Sequence, residues 1–162
     1  MPLKSNMKFR SNGKLLITGE YLVLEGAKAL ALPTKFGQEM NVSYKETADS
    51  TILSWKAYSS NKELWFEAQY ELPTLNLISS TDEKASADLS ILLQICFKEN
   101  SSLYKSGNNI SVSTHLEFPN DWGLGSSSTL ISNLSKWSQV DAFNLLKSIS
   151  KGSGFDVAVG LE

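Results

Sequence analysis

The segment Pro119-Asn120-Asp121-Trp122-Gly123-Leu124-Gly125-Ser126-Ser127-Ser128-Thr129 constrains this chain most, because it sets two glycines and four consecutive hydroxyls between a strand pattern and a helix pattern. Before it, Ile110, Val112, Thr114, Leu116 and Phe118 alternate with Ser111, Ser113, His115 and Glu117, the period of a half-buried strand that ends at Pro119. After it, Leu130, Ile131, Leu134 and Trp137 fall on one stripe of a helix beginning near Ser126. A helix N-terminus presents N–H groups without carbonyl partners and the positive end of the helix dipole, and both attract anions. Glycines let the backbone close on a polyphosphate with no Cβ in the way, and a serine hydroxyl can serve as a magnesium ligand. The segment reads as a nucleotide cradle. The bland alternative is a glycine turn leading into a helix that Ser126 caps, and the rest of the chain has to decide between them.

Other assignments for such a segment fail. The string G-x-x-x-x-G-K followed by Ser or Thr occurs nowhere. A dinucleotide fold wants a third glycine and an acid at the end of the next strand, whereas position 128 is Ser and the nearest acid, Asp141, opens a helix. G-x-S-x-G is missing, and His115, the only histidine, lies in a strand with no acid partner signalled, so it reads as a structural or exposed strand residue. Fifteen basic against seventeen acidic residues leave a net charge of -2, which gives no footprint for nucleic acid or an anionic membrane. Small molecules are the expected partners. Cys96 is the single cysteine, so neither a disulfide framework nor a thiolate zinc site is expected, and a reducing cytoplasm suits the chain. The N-terminus has no apolar region behind its charges, and no apolar stretch approaches the span of a bilayer; neither secretion nor membrane insertion is expected.

The remaining pattern predicts one domain with strands and helices mixed. Phe9 to Ile17 and Ala29 to Tyr44 read as strands, the second interrupted by Pro33 and Gly37. Ile52 to Tyr58 and Leu64 to Tyr70 alternate about Ser59-Ser60-Asn61-Lys62, which predicts a hairpin. Ser80-Thr81-Asp82-Glu83 has the S-x-x-E form of a capping box, with Ala85, Leu89, Leu92, Leu93 and Cys96 on one face of the helix that follows. Ala142, Leu145, Leu146 and Ile149 signal a short last helix, broken by Gly152-Ser153-Gly154 before the apolar run Phe155-Asp156-Val157-Ala158-Val159.

Three stretches, in order, resemble the motifs of the GHMP kinases, the family of galactokinase, homoserine kinase, mevalonate kinase and phosphomevalonate kinase. The glycine-serine segment resembles the family's P-x-x-x-G-L-G-S-S-A-A phosphate motif; Gly13-Lys14-Leu15-Leu16-Ile17-Thr18-Gly19-Glu20-Tyr21 resembles the first motif in its mevalonate and phosphomevalonate kinase form; Gly152-Ser153-Gly154-Phe155-Asp156-Val157-Ala158 resembles the S-G-x-D segment of the catalytic aspartate. The last is closest to bacterial members that read G-Y-D-I-A. The resemblance implies an α+β fold, a mainly antiparallel sheet covered by helices on one side, as in the ribosomal protein S5 domain 2-like N-terminal domain of these kinases. It implies an enzyme that uses ATP and Mg²⁺ to phosphorylate a hydroxyl or phosphate of a small metabolite on the mevalonate route to isoprenoids. By the same resemblance Gly123, Leu124, Gly125, Ser126, Ser127 and Ser128 would bind the ATP phosphates, with Ser127 on magnesium. Asp156 would be the base, Lys14 would lower the acceptor alcohol's pKa or stabilise the developing negative charge, and Glu20 and Tyr21 would contact substrate.

The departures from the family pattern carry expectations too. Family members acting on mevalonate commonly have His where Tyr21 stands, which argues against mevalonate itself. A glutamate about three helical turns before the aspartate helps bind magnesium in mevalonate kinase, and the comparable position here is Leu145; Asp141, four positions away, is a weak substitute. Residues 1–162 correspond to the N-terminal ATP-binding domain, and the C-terminal half of these kinases is missing from them, so an incomplete and weakly active or inactive enzyme is expected. Two alternatives remain open: a relative that binds nucleotide without turnover, and an enzyme like diphosphomevalonate decarboxylase.

Overall fold

The computed structural model describes residues 6–18, 28, 30–48, 51–150 and 154–161. Six strands form one sheet: β1 (Asn6–Thr18), β2 (Leu30–Glu46), β3 (Ile52–Tyr58), β4 (Leu64–Glu71), β5 (Leu77–Ser80) and β6 (Asn108–Leu116). Their order is β1-β2-β6-β3-β4-β5, and each neighbouring pair is antiparallel except β3 with β6. Four helices, α1 (Glu83–Glu99), α2 (Ser126–Ser138), α3 (Ala142–Ile149) and α4 (Phe155–Leu161), complete the α+β fold. The mainly antiparallel sheet and its helical cover agree with the sequence reading.

The alternation that predicted the strands is the reason for this layering. Met40 and Val42 of β2, Leu53, Trp55 and Ala57 of β3, Phe66, Ala68 and Tyr70 of β4, and Ile110 and Val112 of β6 are all buried in one cluster. Against them lie Leu89, Leu92, Leu93 and Cys96 of α1, Ile131, Leu134 and Trp137 of α2, Leu145 of α3 and Val157 of α4. Removing apolar surface from water at about 25 cal/mol per Å² is the main stabilisation of such a core. Between these strand residues, Ser54, Lys56, Ser111 and Ser113 stay at least partly accessible. Burial pushes the Tyr70 phenol up to about 12 while its hydroxyl donates to Ser86 O at 2.9 Å, and burial pushes the Cys96 thiol up to about 11, so that thiol is packing material.

Three local expectations are corrected. The helix Ala142–Ile149 is not the last, because the apolar run after Gly154 forms α4. The cap of α1 is Asp82, whose carboxylate accepts from Ala85 N at 2.9 Å; Ser80 is instead the last residue of β5, opposite Ala68. The interruption at Gly37 does not break β2. A Cβ there would run into Ser11 O, so glycine lets β1 and β2 approach closely just before β1 shifts register between Asn12 and Lys14. Beyond that bulge β1 and β2 continue as a two-stranded ribbon that β6, which pairs only with Gln38–Glu46, does not accompany. Lys14 stands at the start of this ribbon.

Candidate active site

The loop between β6 and α2 is held from both ends. Phe118 is completely buried at its start, and Leu124 O near its end accepts from Lys14 N of β1 at 2.9 Å. Gly123 (φ 67°) and Gly125 (φ 81°) both take left-handed backbone, which only glycine adopts without strain. A Cβ on Gly125 would also come within 3.4 Å of Lys14 Cγ and Cε. The glycine therefore lets the loop lie directly on the lysine.

Gly125 is the N-cap of α2 and provides no side-chain cap, and the first intrahelical bond runs from Thr129 N to Gly125 O at 3.0 Å. The N–H groups of Ser126, Ser127 and Ser128 thus have no intrahelical carbonyl to receive them. Ser126 does not cap the helix as the bland reading required. Its hydroxyl donates to Asn120 Oδ1 at 2.7 Å and braces the loop across its mouth. Ser127 is exposed and Ser128 is buried beneath the turn.

The catalytic pair predicted from distant parts of the sequence is adjacent in space. Lys14 Nζ lies 3.4 Å from Asp156 Oδ1, with the two side chains 16% and 31% exposed. That oxygen is buried and, besides the Lys14 ion pair, has no hydrogen-bond partner among the described residues. Gly154, just before α4, also has positive φ (83°), and a Cβ there would come within 2.9 Å of the Phe143 ring of α3. Glycine at 154 thus lets the turn into α4 pass close under α3.

No protein-family model and no curated protein matches the sequence. Solved structures do. Mevalonate kinase of L. major, in complex with R-mevalonate, superposes with a TM-score of 0.66 at 16% identity over 99% of this chain and 48% of its own. Phosphomevalonate kinase of Streptococcus pneumoniae, in complex with phosphomevalonate and AMPPNP, gives 0.65 at 18% identity over 96% and 47%. Mevalonate kinase of methicillin-resistant Staphylococcus aureus gives 0.61 at 19% identity over 96% and 50%. The fold is that of the GHMP kinases. The chain spans about half the length of these structures.

On this GHMP kinase fold, Lys14, Leu124, Gly125 and Asp156 meet at one place, with Gly123, Ser126, Ser127 and Ser128 on the same loop and first helical turn. Glu20 and Tyr21, expected at the substrate, lie outside the described residues, as do Gly152 and Ser153. Asp141 is engaged elsewhere: its carboxylate accepts from Asn144 N at 3.0 Å and caps α3, while Leu145 is fully buried. Sequence reasoning missed Asn120 as the partner of Ser126. It also missed a cleft of about 510 Å³ between the β3–β4 hairpin, α1 and the loop, walled by Trp55, Phe66, Leu89 and Leu92 with Ser126 and Ser127 on its rim. Those walls come from three elements far apart in sequence, so no local pattern could have signalled the cleft.

Proposed function

We propose that this chain is the nucleotide- and acceptor-binding half of a GHMP-type kinase, which transfers the γ-phosphoryl group of ATP, with Mg²⁺, to a hydroxyl or phosphate of a small metabolite of the mevalonate route. The observation that carries this reading is the single knot at Lys14, whose backbone holds the glycine loop while its ammonium lies 3.4 Å from Asp156. The residues present fit the nucleotide and its metal: an uncapped helix start, a glycine cradle that a Cβ would fill, an exposed Ser127 hydroxyl and a buried carboxylate oxygen whose near neighbour is the Lys14 ammonium. An apolar cleft of this size beside the loop suits a nucleoside.

MgATP, when bound, supplies the phosphoryl group and a metal charge that offsets the negative charge of its phosphates. The chain's own residues do the rest. The N–H groups of α2's first turn and the backbone from Gly123 to Ser127, with the Ser128 N–H beneath them, receive the phosphates, and Ser127 offers its hydroxyl to the metal. Asp156 Oδ1 takes the proton of the acceptor hydroxyl, and Lys14 stabilises the negative charge that develops on the acceptor oxygen. Glu20 and Tyr21 contact the acceptor. The test is ADP release by the full-length protein that contains this half, with ATP, Mg²⁺ and a panel of mevalonate, phosphomevalonate, homoserine and sugars. Release with one acceptor should fall by about 10²–10⁴ in Asp156→Asn while ATP affinity stays the same. Carbon dioxide released with ADP would mark a decarboxylase instead, and ATP binding with no release from any acceptor would overturn the kinase reading.

A further inference from the structure

Helix α4 carries Asp156 near its start and is held against α2 at both ends. Ser128, Ser132 and Lys136 follow one another at four-residue spacing along α2, so they line one face of that helix. Ser132, fully buried, turns its hydroxyl between Ser128 O at 2.9 Å and Val157 O at 3.4 Å. One turn further on, Lys136 Nζ donates to Arg10 O of β1 at 2.9 Å and to Gly160 O of α4 at 3.4 Å. A Cβ on Gly160 would come within 2.7 Å of Ser132 Oγ and 3.6 Å of Asn12 O, so glycine lets α4 settle into the groove between α2 and β1. The three elements joined here are those bearing the glycine loop, Lys14 and Asp156. Gly160 is four residues beyond Asp156, about 6 Å along the helix axis, so the two lie one turn apart on the same rigid element.

We infer that Lys136 is a positioning residue: through Arg10 O and Gly160 O, and beside the Gly160–Ser132 contact, it seats α4 so that Asp156 stands against Lys14. This rests on the kinase reading only in naming Asp156 as the base. A cation at the carbonyl end of a helix is favourably placed, and three donors allow an ammonium to serve two carbonyls on different elements. Burial and the neighbouring Arg10 guanidinium both draw the Lys136 ammonium below its ordinary range.

The experiment reads the position of Asp156 directly. A water-soluble carbodiimide joins an amine to a carboxylate only where they touch, and mass spectrometry then measures the Lys14–Asp156 crosslink. Lys136→Met and Gly160→Ala should each lower its yield at least 5-fold, a threshold set to match a displacement of about one kcal/mol. Lys136→Arg, which can still donate to two carbonyls, should restore it. Circular dichroism identifies a variant that fails to fold, and the other then carries the test. A wild-type yield in either folded variant would overturn the inference. Where ADP release is measurable, kcat should fall with the KM for ATP unchanged. An absence of ADP release from wild type would remove the kinase reading and leave the crosslink result standing.

Discussion

Three helices of this molecule begin in two different ways. α1 and α3 are each capped by an aspartate that accepts from a backbone N–H three residues on, Asp82 from Ala85 and Asp141 from Asn144. α2 begins on Gly125 with no side-chain cap, although serines follow it at once. A carboxylate cap satisfies a donor, complements the dipole and stabilises a helix by about 1 kcal/mol, so α2 forgoes a common stabilisation. It is held from within instead. Asn133, fully buried, accepts from Ser11 Oγ and donates to Gln38 O, both at 2.9 Å, which ties the middle of α2 to β1 and β2. The contrast teaches that a helix start without a side-chain cap takes its anchorage from deeper in the fold.

The strongest way to break this comparison is Gly125→Ala. At φ 81° the new residue costs about 1–3 kcal/mol of backbone strain, and its Cβ presses on Lys14. ATP affinity should fall at least tenfold, read from the emission of Trp122, which lies in the loop 56% exposed against Phe36. Unchanged affinity would mean that this helix start is not where the phosphates sit. Asp82→Ala and Asp141→Ala sharpen the contrast from the other side. Each should cost about 1 kcal/mol, or roughly 2–4 °C in Tm, with ATP affinity unaltered. A tenfold loss of affinity in either would erase the distinction between capped and open helices.

The open helix was legible in the sequence, and one of the capped ones was misplaced, for a physical reason. Around Gly123–Thr129 the hydrophobic period changes from two to nearly four across a glycine-serine cluster, and all of that information is local. At α1 both Ser80 and Asp82 are good caps, and the choice between them is made by β5, whose pairing with β4 holds Ser80 in extended backbone. β5 has four residues, none fully buried, so it gives no period to read. The proximity of Lys14 and Asp156, 142 positions apart, came only from resemblance of motifs; no periodicity places a ribbon strand beside a seven-residue helix. Asn120 with Ser126, and Lys136 with Gly160, were beyond sequence reading for the same reason.

The smallest effect concerns how the chain approaches α2. Glu117, two residues before Pro119, receives Arg10 Nε at 2.9 Å and Nη2 at 2.6 Å, and Gly37 N at 2.8 Å, so an ion pair steadies the loop from behind where a cap would have steadied it from the front. The hydrogen bonds from Arg10 hold the Glu117 carboxyl below its usual range, partly opposed by burial. A folded value below the unfolded one means the pair stabilises the protein fully above the unfolded carboxylate value of about 4.3, and that stabilisation is lost as pH falls through the folded value. The Arg10 side chain is 37% exposed, so water screens the pair and its contribution is under about 1 kcal/mol. Glu117→Gln should therefore lower Tm by about 2 °C at pH 7, with the gap to wild type closing below about pH 4 and shrinking in high salt. A gap of equal size at pH 3 would show that shape, and not the carboxylate charge, steadies the loop, and the contrast between capped and open helices would then rest on packing alone.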